Sequence, residues 1–460
     1  MSVELKNIYN YIDEHIDEHV ARIQEWIRQP SISNTGEGIV ECAELTRTYF
    51  QQLGCHRTEI IEPGVTKWGS KGNPVVYGEY NAGAEKTLII YFMYDTMPVE
   101  ELADWRSPPF EAGIVEQHPF KKVIIGRGAV NSKGPGMAIL NALQSIKAVA
   151  GNLPVNLKLI AEGDEERMST GLHKFVYDHK DTLSKADAFM GWGYQGATGL
   201  ARVVSGSEGC LYFELETSGT RWGRGPTGSS IHGGHKRYVD SPAWRHIKML
   251  STLVSNDGNE ILVKGWYDDI EQPSPEDDKL LDEAIKYYSP ELAGEVLQVS
   301  NFINNLTGKD LLMRELYGTS LNLDGIWGGL THPGTAGSII PNKVTSKHNC
   351  RYVPNQHGDD LLRKIRVHLD ENGYKDVEIR VIGDGSWLKA NYDTDIAKAM
   401  LRMYKNFGVE CRILPGTGVS ILAGPYWPGH LFGRDPLHLP VIMGGLGHGG
   451  RAHASNEYFV

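Results

Sequence analysis

The sequence predicts an α/β protein: a mostly parallel sheet covered by helices, interrupted by an inserted α+β domain. Two observations carry this. Apolar runs of strand length, residues 87–92 (Thr-Leu-Ile-Ile-Tyr-Phe) and 155–160 (Val-Asn-Leu-Lys-Leu-Ile), flank a helix-like stretch at 136–150, the rhythm of a βαβ unit. From about residue 209 the rhythm changes. Residues 211–218 alternate polar with apolar, as a half-exposed strand does, and similar strands recur at 345–352 and 377–382.

The chain opens with a helical pattern, Ile8, Ile12, Ile16, Val20, Ile23 and Ile27, closed by Pro30. His15 and His19 stand four apart and follow Glu14 and Glu18, as a ligand pair would, but their position beside the apolar stripe predicts a solvated helix flank. After the βαβ unit come a helix-like segment at 169–176 and a short strand at 186–190; residues 244–314 are charged and helix-rich. The expected organisation is a main domain of residues 1–205 and 386–460 with 206–385 inserted.

With 460 residues, 40% of them hydrophobic, a net charge of −11 and pI near 5.9, the chain is expected to be an ordinary globular protein that binds no nucleic acid. No apolar run reaches membrane length and no apolar leader opens the chain, which predicts no membrane association and a cytoplasmic location. The five cysteines are scattered, with no CxxC pair, and read as reduced core thiols.

The chemistry is expected where the second strand ends, at residues 161–166 (Ala-Glu-Gly-Asp-Glu-Glu). Crowded carboxylates need compensation, and one can act as general base while its neighbour holds a metal. Alone the run would read as an acidic surface turn, but three further clusters accompany it. Residues 93–98 (Met-Tyr-Asp-Thr-Met-Pro) follow a strand, and 126–134 (Gly-Arg-Gly-Ala-Val-Asn-Ser-Lys-Gly) open a helix. Residues 445–459 run from a glycine-rich turn through His453 to Glu457. Gly445, Gly447 and Gly450 match a dinucleotide fingerprint, yet too few residues follow for the helix and strand it requires.

In this order and spacing the clusters resemble the zinc-dependent exopeptidase and amidohydrolase family of dipeptidases, aminoacylases, carnosinases and succinyl-diaminopimelate desuccinylase. The resemblance covers nearly the whole chain, including a lid and dimerisation domain carrying Ser-Ile-His232-Gly-Gly-His, Leu321-Asn322-Leu-Asp-Gly and Asn-Cys-Arg351-Tyr. It implies Glu165 as general base, Glu166 and His453 as ligands of one metal, and Asp95 as the carboxylate supporting a ligand histidine. It places Arg351, Asn322 and the loop of Gly416 and Gly418 around a substrate carboxylate. His232 would reach the active site of a second subunit in a homodimer. At three ligand places the chain departs from the pattern: Met93 for a histidine, Asn131 for the bridging aspartate, and Trp192-Gly193 where a distal aspartate is expected.

Those departures remove the charge that holds a zinc pair together. By ligand count the expectation is therefore no cofactor, or one weakly bound divalent metal such as zinc, rather than a dizinc centre. Tyr94, Asn131 or His232 would then supply oxyanion stabilisation. The expected activity is hydrolysis, acyl transfer or related C–N chemistry on a small carboxylate-bearing substrate, without metal or with one ion. The competing expectation is a catalytically dead relative that binds a ligand or partner in the old cleft. His438 and His448 are candidates for a replacement ligand, but are expected rather as exposed loop histidines.

Overall fold

The computed structural model describes residues 3–100, 102–193, 195, 201–332, 334, 336–413 and 426–460. The chain forms two compact units, one of residues 1–206, 390–414 and 427–460 and the other of residues 207–389 and 415–426.

The first unit is built on an eight-stranded sheet, in the order Arg57–Ile61, Val75–Tyr80, Asn156–Glu162, Thr87–Met93, Ala188–Trp192, Val441–Gly444, Ala201–Val204, Cys411–Ile413. Its four central strands, from Asn156–Glu162 to Val441–Gly444, run parallel, while antiparallel pairings appear on both flanks. The expected βαβ unit is present, with the helix Gly134–Ala150 between Thr87–Met93 and Asn156–Glu162. Pro135 sits in its first turn and Gly151, at φ +80°, caps its end.

One sheet face is sealed by Trp26, Phe50, Met137 and Leu140 packed on Phe92, Leu157 and Leu159, all buried. Each such side chain contributes about 1.5–3 kcal/mol of transfer free energy. On the opposite face Phe175, from the helix Thr170–Asp178, stands 6.0 Å from Tyr77. Two N-terminal helices, Val3–Glu14 and Ile16–Arg28, replace the single expected one, with the break at His15. His19 is not a solvated flank. It is buried, its Nε2 lies 3.3 Å from Ser145 Oγ, and its carbonyl accepts from Asn141 Nδ2. The helical stripe is wider than the isoleucine ladder alone, so it takes His19 into the seam with Gly134–Ala150.

A small antiparallel sheet that the alternation did not reveal joins Gly449–Gly450, Tyr458–Phe459, Phe120–Ile125 and Gly113–Gln117. Its strands of two residues are too short to leave a periodic signal.

The second unit carries a four-stranded antiparallel sheet, ordered Ser320–Trp327, Lys343–Tyr352, Gly209–Ser218, Glu378–Gly385. Leu211, Phe213 and Leu215 point from it into a core with Met249, Trp266, Leu361 and Ile365, as the alternation requires. His246 and His348 are buried here, and desolvation pushes each down to about 4, so both are neutral. All five cysteines are free thiols, and no described helix is long and apolar enough to cross a membrane.

Candidate functional site

Parallel strands bring their carboxyl ends to one edge of a sheet, and here they bring three of the sequence clusters together. Met93 pairs with Glu162 in register, so the turns that follow these two strands are neighbours. Within them Asp95 is fully buried, accepting the Glu165 N–H on Oδ1 (3.2 Å) and the Glu166 N–H on Oδ2 (3.1 Å). It therefore holds the backbone of the acidic pair. With methionine at position 93, it has no histidine there to orient.

The acidic run divides by role. Glu162 is buried under Tyr91 and Ser169, whose hydroxyls donate to its Oε1 at 2.6 and 3.0 Å. Asp164 accepts from Thr170 Oγ1 and Gly171 N–H and pairs with Arg167 at 3.1 Å. Both are structural. Gly163 between them has no room for a side chain, because a Cβ there would fall on the Tyr94 ring. That leaves Glu165 and Glu166 at the site.

Glu166 meets two partners. Its Oε1 accepts from Asn131 Nδ2 (2.9 Å) and lies 3.0 Å from His453 Nε2, and Asn131 Nδ2 is itself 3.0 Å from that nitrogen. The hydrogen bond to Glu166 holds the His453 imidazole above its usual pKa. Burial, then the charges of Glu166 and Asp164, push Asp95 up to about 8. Burial, then Glu166, Asp95 and Glu162, hold Glu165 well above the usual carboxylate range. Glu165 is thus poised to carry a proton.

The donor set is the test of whether a metal fits. Glu166, His453 and Asn131 form a triangle with edges of 2.9 to 3.0 Å, close to the ~3.3 Å separating donors around a tetrahedral zinc. One Nε2 cannot both donate to Glu166 and accept from Asn131, a conflict that a cation resolves once the Asn131 amide turns its oxygen inward. One divalent ion fits. Among the described residues no three His, Cys, Asp or Glu side chains are placed to share an ion, so the Asn131 amide would have to complete that set. At Gly193 a Cβ would lie 2.7 Å from the Gly444 carbonyl carbon, so no ligand side chain stands there without moving backbone.

Two residues outside the expected set hold this cluster. Glu457 Oε1 accepts from the N–H groups of Val130 (3.0 Å) and Asn131 (2.8 Å). Its Oε2 accepts from Gly128 N–H (3.2 Å) and Arg127 Nη1 (2.9 Å). Arg127 Nη2 donates to the His453 carbonyl at 3.3 Å. His453 sits at φ +64°, a conformation costing a non-glycine residue about 1–3 kcal/mol unless neighbours enforce it. Spacing four residues beyond a ligand-like histidine was the available signal for Glu457; nothing in the sequence marked Arg127.

Tyr94 is corrected. It is fully buried, and its hydroxyl donates to the Pro74 carbonyl at 2.7 Å, so it offers nothing to a substrate. Strand alternation explains this: residues 92 and 94 enter the core, whereas 91, 93 and 95 share the other face. His448 is half-buried against Phe120, with ring centroids 5.2 Å apart, and is not an exposed loop histidine; His438 is exposed. Gly416 and Gly418 lie outside the described residues.

In the second unit, Asn322 and Arg351 are joined through side chains the sequence did not single out. Asn322 Nδ2 and Asn349 Nδ2 both donate to Asp324 Oδ1, and Arg351 Nε donates to Asn349 Oδ1 (3.3 Å). Arg351 Nη1 pairs with Glu208 at 2.8 Å; burial lifts that carboxyl to about 7 even so. His232 stands apart from them, exposed, its Nδ1 accepting from Gly234 N–H at 3.1 Å.

The sheet thus gathers its acidic turn, Asn131 and His453 at one carboxyl edge. Residues 89–460 match the model of "Peptidase family M20/M25/M40", and the chain belongs to that family. It is 28% identical to the "Cys-Gly metallodipeptidase DUG1" of Candida albicans, over 98% of this chain and 93% of that protein. It is 27% identical to the "Beta-Ala-His dipeptidase" of Mus musculus, over 88% of this chain and 83% of that protein. Among solved structures it resembles the M20 family metallo-carboxypeptidase Sso-CP2 from Sulfolobus solfataricus, with a TM-score of 0.81 and 29% identity, covering 96% of this chain and 94% of that one.

Proposed function

We propose that the protein hydrolyses the amide bond of a small, dipeptide-like substrate bearing a free carboxylate. The observation that carries this is the convergence of Glu166, His453 and Asn131 beside Glu165. The dipeptidase names of its relatives support the substrate class. Glu165 takes the proton of the attacking water as the water oxygen bonds to the carbonyl carbon. It then returns the proton to the nitrogen as the C–N bond breaks. Asp95 fixes the backbone from which Glu165 and Glu166 project. Glu166 and His453, with Asn131, would hold one divalent cation, whose chemistry is Lewis-acid polarisation. Arg351 and Asn322 are proposed to read the substrate carboxylate, and His232 to stabilise the oxyanion.

The test is a panel of Cys-Gly, β-Ala-His and N-acyl amino acids, each with its C-terminally amidated counterpart. The free-carboxylate forms should be cleaved with kcat/KM at least about tenfold higher, the worth of one charge-assisted contact. Equal cleavage of both forms, or of neither, overturns the reading.

The same reading includes a homodimer through the second unit. Its sheet ends on the edge strand Ser320–Trp327, whose outer side pairs with no described strand, and Leu323, Ile326 and Trp327 on it are between 45% and 47% exposed. Light scattering at micromolar concentration should give twice 51.0 kDa, and Ile326→Lys should shift the protein toward monomer. A monomeric unaltered protein would count against both the dimer and the role of His232.

A further inference from the structure

We propose that Glu457, together with Arg127, is a positioning pair that keeps Asn131 and His453 in register with Glu166; the inference rests on the site assigned above and deepens it. Both side chains are almost wholly buried, at 1% and 4% exposed, and a buried ion pair is a poor way to gain stability alone. What distinguishes this one is where its donors come from. All four hydrogen bonds to the Glu457 carboxylate originate in residues 127–131, so the loop carrying Asn131 is wrapped around that single group. No apolar side chain could hold the Asn131 N–H in this way.

The guanidinium extends the device to the second partner. Nη1 faces Glu457 while Nη2 reaches the carbonyl of His453, whose backbone is in the left-handed region. The Gly126 N–H donates to the Glu457 carbonyl at 3.0 Å, and Tyr458 and Phe459 pair with Ile125 and Ile124. The terminal segment and the Asn131 loop are therefore one clamped unit. It meets the acidic turn where Asn131 and His453 contact Glu166. Neither Glu457 nor Arg127 reaches the reacting atoms in this arrangement; they act through the groups they hold.

Glu457→Gln keeps the shape and removes the charge, turning an amide NH₂ toward N–H donors. With β-Ala-His as substrate, kcat should fall about 10- to 100-fold with KM within about threefold, since a misplacement of about 1 Å can cost about 100-fold. The His453 ring Cε1–H NMR resonance, assigned through His453→Gln, should move at least half as far as it does in Asn131→Ala. A folded variant with kcat within threefold and an unmoved resonance overturns the proposal. Arg127→Lys keeps the charge but loses the second prong, and carries the same two readouts should Glu457→Gln fail to fold. If the unaltered protein cleaves no peptide, the assigned activity fails by itself, and the resonance shift still decides the positioning.

Discussion

Replacing Glu165 with glutamine lowers turnover of a cleaved dipeptide by about two to four orders of magnitude, the usual worth of a positioned acid/base. The size of the effect follows from what glutamine preserves. Its shape matches glutamate, so the turn Glu165–Arg167 and the two N–H bonds into Asp95 should persist, and substrate affinity with them. Glutamine cannot take a proton from water or return one to an amine. Melting temperature should hold or rise near pH 8, because the change removes one of several carboxylates crowded around Asp95 and Glu162. Measured as kcat beside circular dichroism, an unchanged kcat would place the proton transfer elsewhere in the cleft. His453→Ala should match the Glu165→Gln loss if a metal is held there and fall short of it otherwise.

The second large effect concerns metal. Elemental analysis of the purified protein should find no more than one zinc or comparable ion per chain; two tightly held ions would overturn the donor-set assignment. Met93→His with Asn131→Asp should raise zinc affinity by at least about tenfold per restored ligand, the scale that even supporting groups command. Adding Gly193→Asp should not help. Its Cβ would lie 2.7 Å from the Gly444 carbonyl carbon and 2.8 Å from its Cα, so strand Val441–Gly444 would have to yield before the carboxylate could be placed. Zinc competition titration of the double and triple variants separates the two cases: higher affinity in the triple variant would show that the backbone there is soft.

The fold was readable because its signals are long. The strand at 87–93, the helix after it and the strand at 156–162 each bury a continuous apolar surface, and periodicity reports such surfaces directly. The two-residue strands near the C-terminus leave no period, and their sheet went unforeseen. In the candidate site, the motifs named Glu166, Asn131 and His453, which the fold brings into contact, and Glu165 beside them. Tyr94 was misplaced although its parity with Phe92 pointed inward. Glu457, Arg127, Asp324 and Asn349 were missed for another reason. Their work is done by hydrogen bonds between residues as much as 330 positions apart, and a linear pattern carries no trace of that.

The central strand Ala188–Trp192 finds one of its parallel neighbours, Val441–Gly444, only after some 250 intervening residues. The sheet of the second unit, by contrast, draws all its strands from residues 209–385. During synthesis the inserted unit can therefore complete its sheet first, while the unit around it waits with an open edge at Ala188–Trp192. Closing that edge draws together the ends of a very long loop, a step whose entropic cost grows only logarithmically with length and which the folded insert shortens. The kinetic vulnerability of this protein lies in that waiting edge, where another chain's strand could pair before its own arrives.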